Sequence, residues 1–551
     1  MMLRQIRHAS RAAPRGLATA AELLPPLSAF ATLDPEALSG AAPHRVDNLL
    51  GGRWVGARAE VEVPDPLNGE IFMRVADARA DDELDAFAAS LAACPKSGLH
   101  NPLKNNARYL LYGEVSRRAA ACLSQPDVED FFVRLIQRVA PKSRAQAWGE
   151  LDVTRTFLKN FSGDQVRFLA RSFAVPGDHD GQTSRGYRWP YGPVALITPF
   201  NFPLEIPLLQ LMGALYMGNK PVLKCDSRNS VVMEQTLRLL HACGMPREDV
   251  DFLNADGPAT QRLLERAPVR NTLFTGSSKV AEALAHALAG RIKIEDAGFD
   301  WKILGPDVAD DDYVAYVCDQ DAYAYSGQKC SAQSILFMHE NWRAAGFEAK
   351  LAALAARRTF DDLTLGPVLS VTNEALAAHV ERLLAIPGAR VAFGDGAARP
   401  AEASAVPACY GAWAPTAVHV PLEELVKPEH FGACTTEIFG PFQVLSDYSD
   451  ASLPLVLDAC ERMDAHLTAA VVSNDVKFQS RVLASTVNGT TYCGRRARTT
   501  GAPQNHWFGP AGDPRSAGIG SPEAIKHVWS CHREVIHDEL VADGWTTPPP
   551  S

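Results

Sequence analysis

The chemistry in this chain of 551 residues concentrates in a few short polar loops, foremost Tyr325-Ser326-Gly327-Gln328-Lys329-Cys330-Ser331. A core cysteine has apolar neighbours, whereas Cys330 stands among small and polar ones. That is the setting of a nucleophilic thiol. Gly327 lets the backbone pass close to a substrate, and Ser331 offers a donor and an acceptor beside the same centre. Thiolate chemistry also requires a base and a donor for the oxyanion. Thr198-Pro199-Phe200-Asn201-Phe202-Pro203 supplies a candidate donor in the Asn201 amide, and an Asn-initiated turn is its competing reading. Ile294-Glu295-Asp296 supplies a candidate base, with a solvated strand end as the alternative. Thr275-Gly276-Ser277-Ser278-Lys279 opens a helix and could face a pyrophosphate, or be a plain capping turn. Glu437 and Phe439, in Thr436-Glu437-Ile438-Phe439-Gly440, could hold a ribose and pack on a planar ring; an exposed loop acid is the alternative.

Alternating elements must position these loops. Short apolar runs at 194–198, 221–224, 250–254, 272–274 and 292–294 alternate with helical patterns at 204–216, 231–241, 259–266 and 279–288. This alternation predicts a doubly wound α/β sheet whose ligand crevice lies at the carboxyl ends of the strands. Helical segments over 82–93, 105–123 and 128–169 would wrap it, and a second α/β set runs from Trp301 to about Val487. A late strand is predicted over His527 to Val535.

Composition narrows the class. With 46% hydrophobic and 21% charged residues the chain is globular, and a net charge of −10 without a clustered basic excess excludes a nucleic-acid surface. No apolar run reaches the ~18 residues of a membrane span. Eleven cysteines without paired spacing read as reduced thiols, with no metal site expected. Arg4, Arg7, Arg11 and Arg15 precede the first acid, Glu22, as in a mitochondrial presequence cut near Gly16 to Ala21, whose destination is the matrix.

Together these loops identify the chain as resembling the aldehyde dehydrogenase superfamily over most of residues 45–535. The resemblance implies Cys330 as nucleophile, Glu295 as base and Asn201 as oxyanion donor. It implies NAD, with NADP possible, held by Thr198, Pro199, Phe200, Lys224, Ser227, Gly276, Ser277, Glu437 and Phe439. Gly327-Gln328-Lys329-Cys330-Ser331 and Glu295-Asp296-Ala297-Gly298-Phe299-Asp300-Trp301-Lys302 resemble the plant-type branch that oxidises glutamate 5-semialdehyde. On that resemblance Phe202, Ser331, Gly509 and Ala511 would hold the substrate, a small molecule. Succinic-semialdehyde or betaine-type specificity and coenzyme-A acylation are the alternatives. The implied fold has a Rossmann-type coenzyme domain (45–163 and 190–300) and an α/β catalytic domain (301–488). A small β oligomerisation arm (164–189 and 489–536) would join a dimer or tetramer, leaving a tail at 537–551 and the presequence at 1–20. Three departures stand out: Ala297-Gly298-Phe299 replaces the usual Gly-Gly-Lys, Ser227 replaces a ribose-binding glutamate, and Trp507-Phe508-Gly509-Pro510-Ala511-Gly512 replaces a Phe-Gly-Gly-Ala loop.

Overall fold

A computed structural model describes residues 24–296, 298–395, 398–464 and 466–551; the predicted presequence lies outside them, as does Ala297. Five β-strands, Pro193–Ile197, Lys220–Lys224, Asp251–Phe252, Thr272–Gly276 and Ile292–Asp296, form a parallel ladder. The first of them in the chain lies in the middle, so strand order reverses between Pro193–Ile197 and Thr272–Gly276. Such a switch point opens a crevice at the strands' carboxyl ends, where the Asn201 and Gly276-Ser277 loops begin. Asn48–Leu50 and Arg53–Val55 extend the sheet antiparallel to seven strands. Its apolar face packs on the helices Ala107–Cys122, Pro126–Val139 and Arg144–Asn160 through buried side chains including Tyr112, Phe132, Phe157 and Leu211.

The second sheet also has seven strands, parallel except for the edge strand Arg390–Phe393. Its central members Asp300–Leu304 and Gln333–His339 receive the chain directly from Glu295 and Cys330 respectively. The amino ends of this sheet therefore meet the carboxyl ends of the first. That opposition brings base and thiol together from separate stretches of sequence.

Two three-stranded sheets complete the fold: one of His44–Val46, Ile71–Asp77 and Ala59–Pro64, and one antiparallel sheet of Ser530–His537, Thr183–Pro190 and Arg171–Pro176. Every residue of Arg171–Pro176 is exposed. The strand predicted over His527 to Val535 is present as Ser530–His537, starting three residues later because 527–529 end a preceding helix, Pro522–Trp529. Ser521 caps that helix by accepting from the Ala524 N–H, and Pro522 takes its first turn, so start signals outweigh the β-branched residues downstream. No helix among the described residues is long and apolar enough to cross a membrane, and no metal-ligating cluster is found among them.

Candidate active site

The loop before Cys330 is held in a costly conformation. Tyr325, Ser326 and Gly327 follow one another at φ 56°, 52° and 67°. For the two non-glycine residues this costs on the order of 1–3 kcal/mol each. A Cβ on Gly327 would lie 2.1 Å from the Gly440 carbonyl, so only glycine permits this approach to the Glu437 loop. Buried hydrogen bonds offset the strain. Ser326 Oγ donates to Gly366 O at 3.0 Å and accepts from Gly366 N at 2.8 Å. Gln328 Nε2 donates to Pro367 O at 3.0 Å, and its Oε1 accepts from Leu369 N at 2.8 Å.

Asn201 reaches the same loop from the other sheet, its Nδ2 donating to Gln328 O at 3.2 Å. One amide hydrogen is used there, which leaves the second for a ligand. Below it lies Lys142, whose Nζ donates to Asn201 O at 3.0 Å and pairs with Glu150 Oε2 at 2.9 Å. Both side chains are fully buried, and Lys142 sits between the rings of Phe202, at 4.6 Å, and Tyr325, at 3.9 Å. Glu150 Oε1 in turn accepts from the N–H groups of Leu204 and Glu205 at 2.8 and 3.2 Å. The donor amide, its carbonyl and the turn after it are thus fixed by one buried ion pair.

Glu295 is 5% exposed on the strand Ile292–Asp296, which the segment around Ser516 pins through Ile294 N to Arg515 O at 2.9 Å and Ala517 N to Ile294 O at 2.8 Å. Burial raises its carboxyl to about 7, against a hydrogen bond from the Cys330 thiol that lowers it. Burial also pushes the half-buried Cys330 thiol well up, and the nearby Glu295 and Asp300 carboxylates push it further. Near neutrality the thiol therefore keeps its proton, while the Glu295 carboxyl is partly ionised and can accept one. Glu437 is not an exposed loop acid: burial raises it to about 8, and its carboxylate accepts from the Gly298 N–H. A Cβ on Gly298 would meet Cys330 O at 2.2 Å, so this one glycine of the altered triplet is sterically required.

Cys330 and Glu295 line two clefts at once. The larger, about 520 Å³, is walled by Thr198, Pro199, Phe200, Asn201, Lys224, Gly276, Ser277, Glu437 and Phe439, as the sequence predicts. Ser227 stands outside that lining, because its neighbours Asp226 and Arg228 fill the stretch of wall, ion-paired at 2.7 Å. The smaller cleft, about 310 Å³, is lined by Phe202 and Ser331 but not by Gly509 or Ala511. Their backbone groups are turned to other loops: Gly509 O accepts from Trp507 Nε1 at 3.2 Å and Ala511 N donates to His466 O at 3.2 Å. Phe508 takes their place on the wall.

The larger cleft fits a dinucleotide. The ten-residue helix Ser278–Ala287 starts there without a side-chain cap, so its first N–H groups are open to phosphate oxygens. Lys224 adds positive charge, while Ile197, Val280 and Leu467 give apolar surface for planar rings.

Sequence reasoning missed Lys142, Glu150 and Gln328, which act on the site through Asn201 and the thiol loop. Nothing in their spacing marks them, since their partners are 59, 54 and 41 residues away. Arg495, outside both clefts, is bound to Asp307 at 2.9 Å.

Comparison with known proteins agrees with this geometry. A probable aldehyde dehydrogenase of Linum usitatissimum is 64% identical over 94% of this chain and 94% of its own length. The mitochondrial delta-1-pyrroline-5-carboxylate dehydrogenase 12A1 of Arabidopsis thaliana is 62% identical over 94% of this chain and 93% of its own. The crystal structure of an NAD-dependent aldehyde dehydrogenase from Sinorhizobium meliloti superposes with a TM-score of 0.78 at 21% identity, covering 95% of this chain and 99% of that one. The aldehyde dehydrogenase family model matches residues 54–529, and the chain belongs to that family.

Proposed function

We propose that the protein oxidises L-glutamate 5-semialdehyde, the open form of Δ1-pyrroline-5-carboxylate, to L-glutamate with NAD in proline catabolism. The observation that carries this reading is that Cys330 and Glu295 line both clefts, with Asn201 on the wall of the larger one. The named Arabidopsis relative supports the substrate and a mitochondrial site of action.

Glu295, directly or through water, takes the Cys330 proton, and the thiolate attacks the aldehyde carbon from the smaller cleft. The resulting oxyanion is received by the second Asn201 Nδ2 hydrogen and the Cys330 N–H. A nicotinamide dinucleotide, when bound in the larger cleft, supplies the hydride acceptor and a positive charge near the thiolate. Thr198, Pro199, Phe200, Lys224, Gly276, Ser277, Glu437 and Phe439 would hold it. Collapse of the oxyanion with loss of the aldehyde hydrogen as hydride to that acceptor would leave Cys330 as a thioester, and Glu295, once it has released the thiol proton to solvent, takes a proton from the water that releases the acid. Phe202, beside Tyr325 at 5.9 Å, packs on the substrate's carbon chain. The exposed strand Arg171–Pro176 serves a subunit contact in a dimer or tetramer.

The test is a progress curve with pyrroline-5-carboxylate, using NAD and then NADP and with or without coenzyme A. NADH and free glutamate are expected. Equal rates with butanal would defeat the substrate assignment, an acyl-coenzyme-A product would defeat hydrolysis, and a preference for NADP would defeat the cofactor.

A further inference from the structure

An acidic and a basic side chain in the smaller cleft have no part in the mechanism above. Glu205 lies in the first turn of the helix Glu205–Tyr216, and Lys329 precedes the nucleophile; each is only 8% exposed. Both line the cleft together with Cys330 and Ser331. Among the described residues, no hydrogen bond or ion pair reaches the Glu205 carboxylate or the Lys329 ammonium, and the two lie beyond ion-pair distance of each other. Neighbouring buried charges are handled differently. Lys142 with Glu150, Lys302 with Asp321 and Arg358 with Asp319 are closed pairs at 2.9, 2.7 and 2.6 Å. Buried charges are ordinarily paired in this way because an isolated one is costly. An acidic and a basic side chain without partners, held apart in one cleft, are the complement of a ligand that carries both signs.

We infer that Glu205 receives the ammonium group and Lys329 the carboxylate of an α-amino-acid aldehyde, so that this cleft selects a zwitterion over aldehydes with one charge or none. The inference rests on the substrate reading above and names the groups that enforce it. It also supplies the carboxylate anchor that Gly509 and Ala511 do not provide. Burial pushes the Glu205 carboxyl well up, and it lowers the Lys329 ammonium to about 8. A bound cation at the first and a bound anion at the second would reverse both shifts. Arg498 is the competing cation, but it is exposed and stands at the rim.

The experiment compares kcat/KM for four aldehydes that share the four carbons from the aldehyde to the α-position: glutamate 5-semialdehyde, 5-oxopentanoate without the ammonium, 4-aminobutanal without the carboxylate, and butanal with neither. In Glu205→Gln the ratio of glutamate semialdehyde to 5-oxopentanoate should fall roughly 10- to 100-fold, the worth of one charge-assisted contact. In Lys329→Gln the ratio of glutamate semialdehyde to 4-aminobutanal should fall similarly. Ratios unchanged within about twofold overturn the inference, and loss of carboxylate discrimination in Arg498→Gln instead of Lys329→Gln overturns its second half. A wild-type enzyme indifferent between glutamate semialdehyde and butanal would overturn the substrate reading and the inference together. An intact wild-type preference beside unmoved variant ratios would overturn the inference alone. Product inhibition needs no variant: glutamate should inhibit the wild type at least about tenfold more tightly than glutarate or 4-aminobutanoate, and equal constants overturn the proposal.

Discussion

Replacing Lys142 with methionine tests whether one buried ion pair sets the geometry of the proposed oxyanion donor. Methionine keeps most of the volume between Phe202 and Tyr325 but removes the charge that touches Glu150 at 2.9 Å and Asn201 O at 3.0 Å. Glu150 would keep its bonds from Leu204 and Glu205, yet become a fully buried carboxylate without a counter-charge. Breaking a buried pair from one side costs about 3–5 kcal/mol. Adding Glu150→Gln removes the stranded charge while the amide oxygen still serves the two N–H groups, so the double variant should recover about 2–3 kcal/mol of the loss. Urea unfolding followed by tryptophan fluorescence measures both. In kinetics, the freed Asn201 carbonyl lets the side-chain amide drift, so kcat should fall toward the roughly 10²- to 10³-fold limit set by losing the donor altogether. A Lys142→Met protein within about 1 kcal/mol of wild type, or a double variant no more stable than the single, would refute the reasoning.

Asn201→Ala should lower kcat roughly 10²- to 10³-fold, and unchanged turnover would remove Asn201 from the mechanism. Glu295→Gln should abolish the pH limb near 7, on which wild-type activity rises as the carboxyl deprotonates; a limb that survives belongs to another group. The same carboxyl affects stability with a definite sign. Its folded value lies above its unfolded 4.5, so its contribution is full below 4.5 and is lost as pH rises through about 7. That loss is about 3 kcal/mol and should be absent in Glu295→Gln, as urea midpoints at pH 4.5 and 8 would report. Gly327→Ala should destabilise by more than about 1 kcal/mol, given φ 67° and a Cβ 2.1 Å from Gly440 O, and wild-type stability would contradict the close approach.

What could be read in advance followed from local chemistry. The strand ends carrying Thr198, Gly276 and Glu295 were legible because short apolar runs alternate with helical periods, and such alternation has few folded solutions. Cys330 was legible because polar neighbours around a thiol are uneconomical in a core. The last strand was legible but its start was set three residues early, because Val528 and Trp529 suit either structure while the deciding helix signal lay upstream in Ser521-Pro522. Gly509 and Ala511 lie outside the lining of the smaller cleft, and an altered loop sequence does not tell which way its backbone turns. Lys142, Glu150, Glu205 and Lys329 share a deeper reason. Whether a charged residue is buried, and with what partner, depends on chain segments that meet only after folding. Lys142 and Glu205 belong to stretches whose sequence pattern is that of ordinary helices. The fold separates them by giving the first a carboxylate and leaving the second facing a cleft. Pairing thus distinguishes a charge that holds the site together from one that is open to a ligand. That distinction is a property of the three-dimensional arrangement and has no counterpart in residue type or spacing.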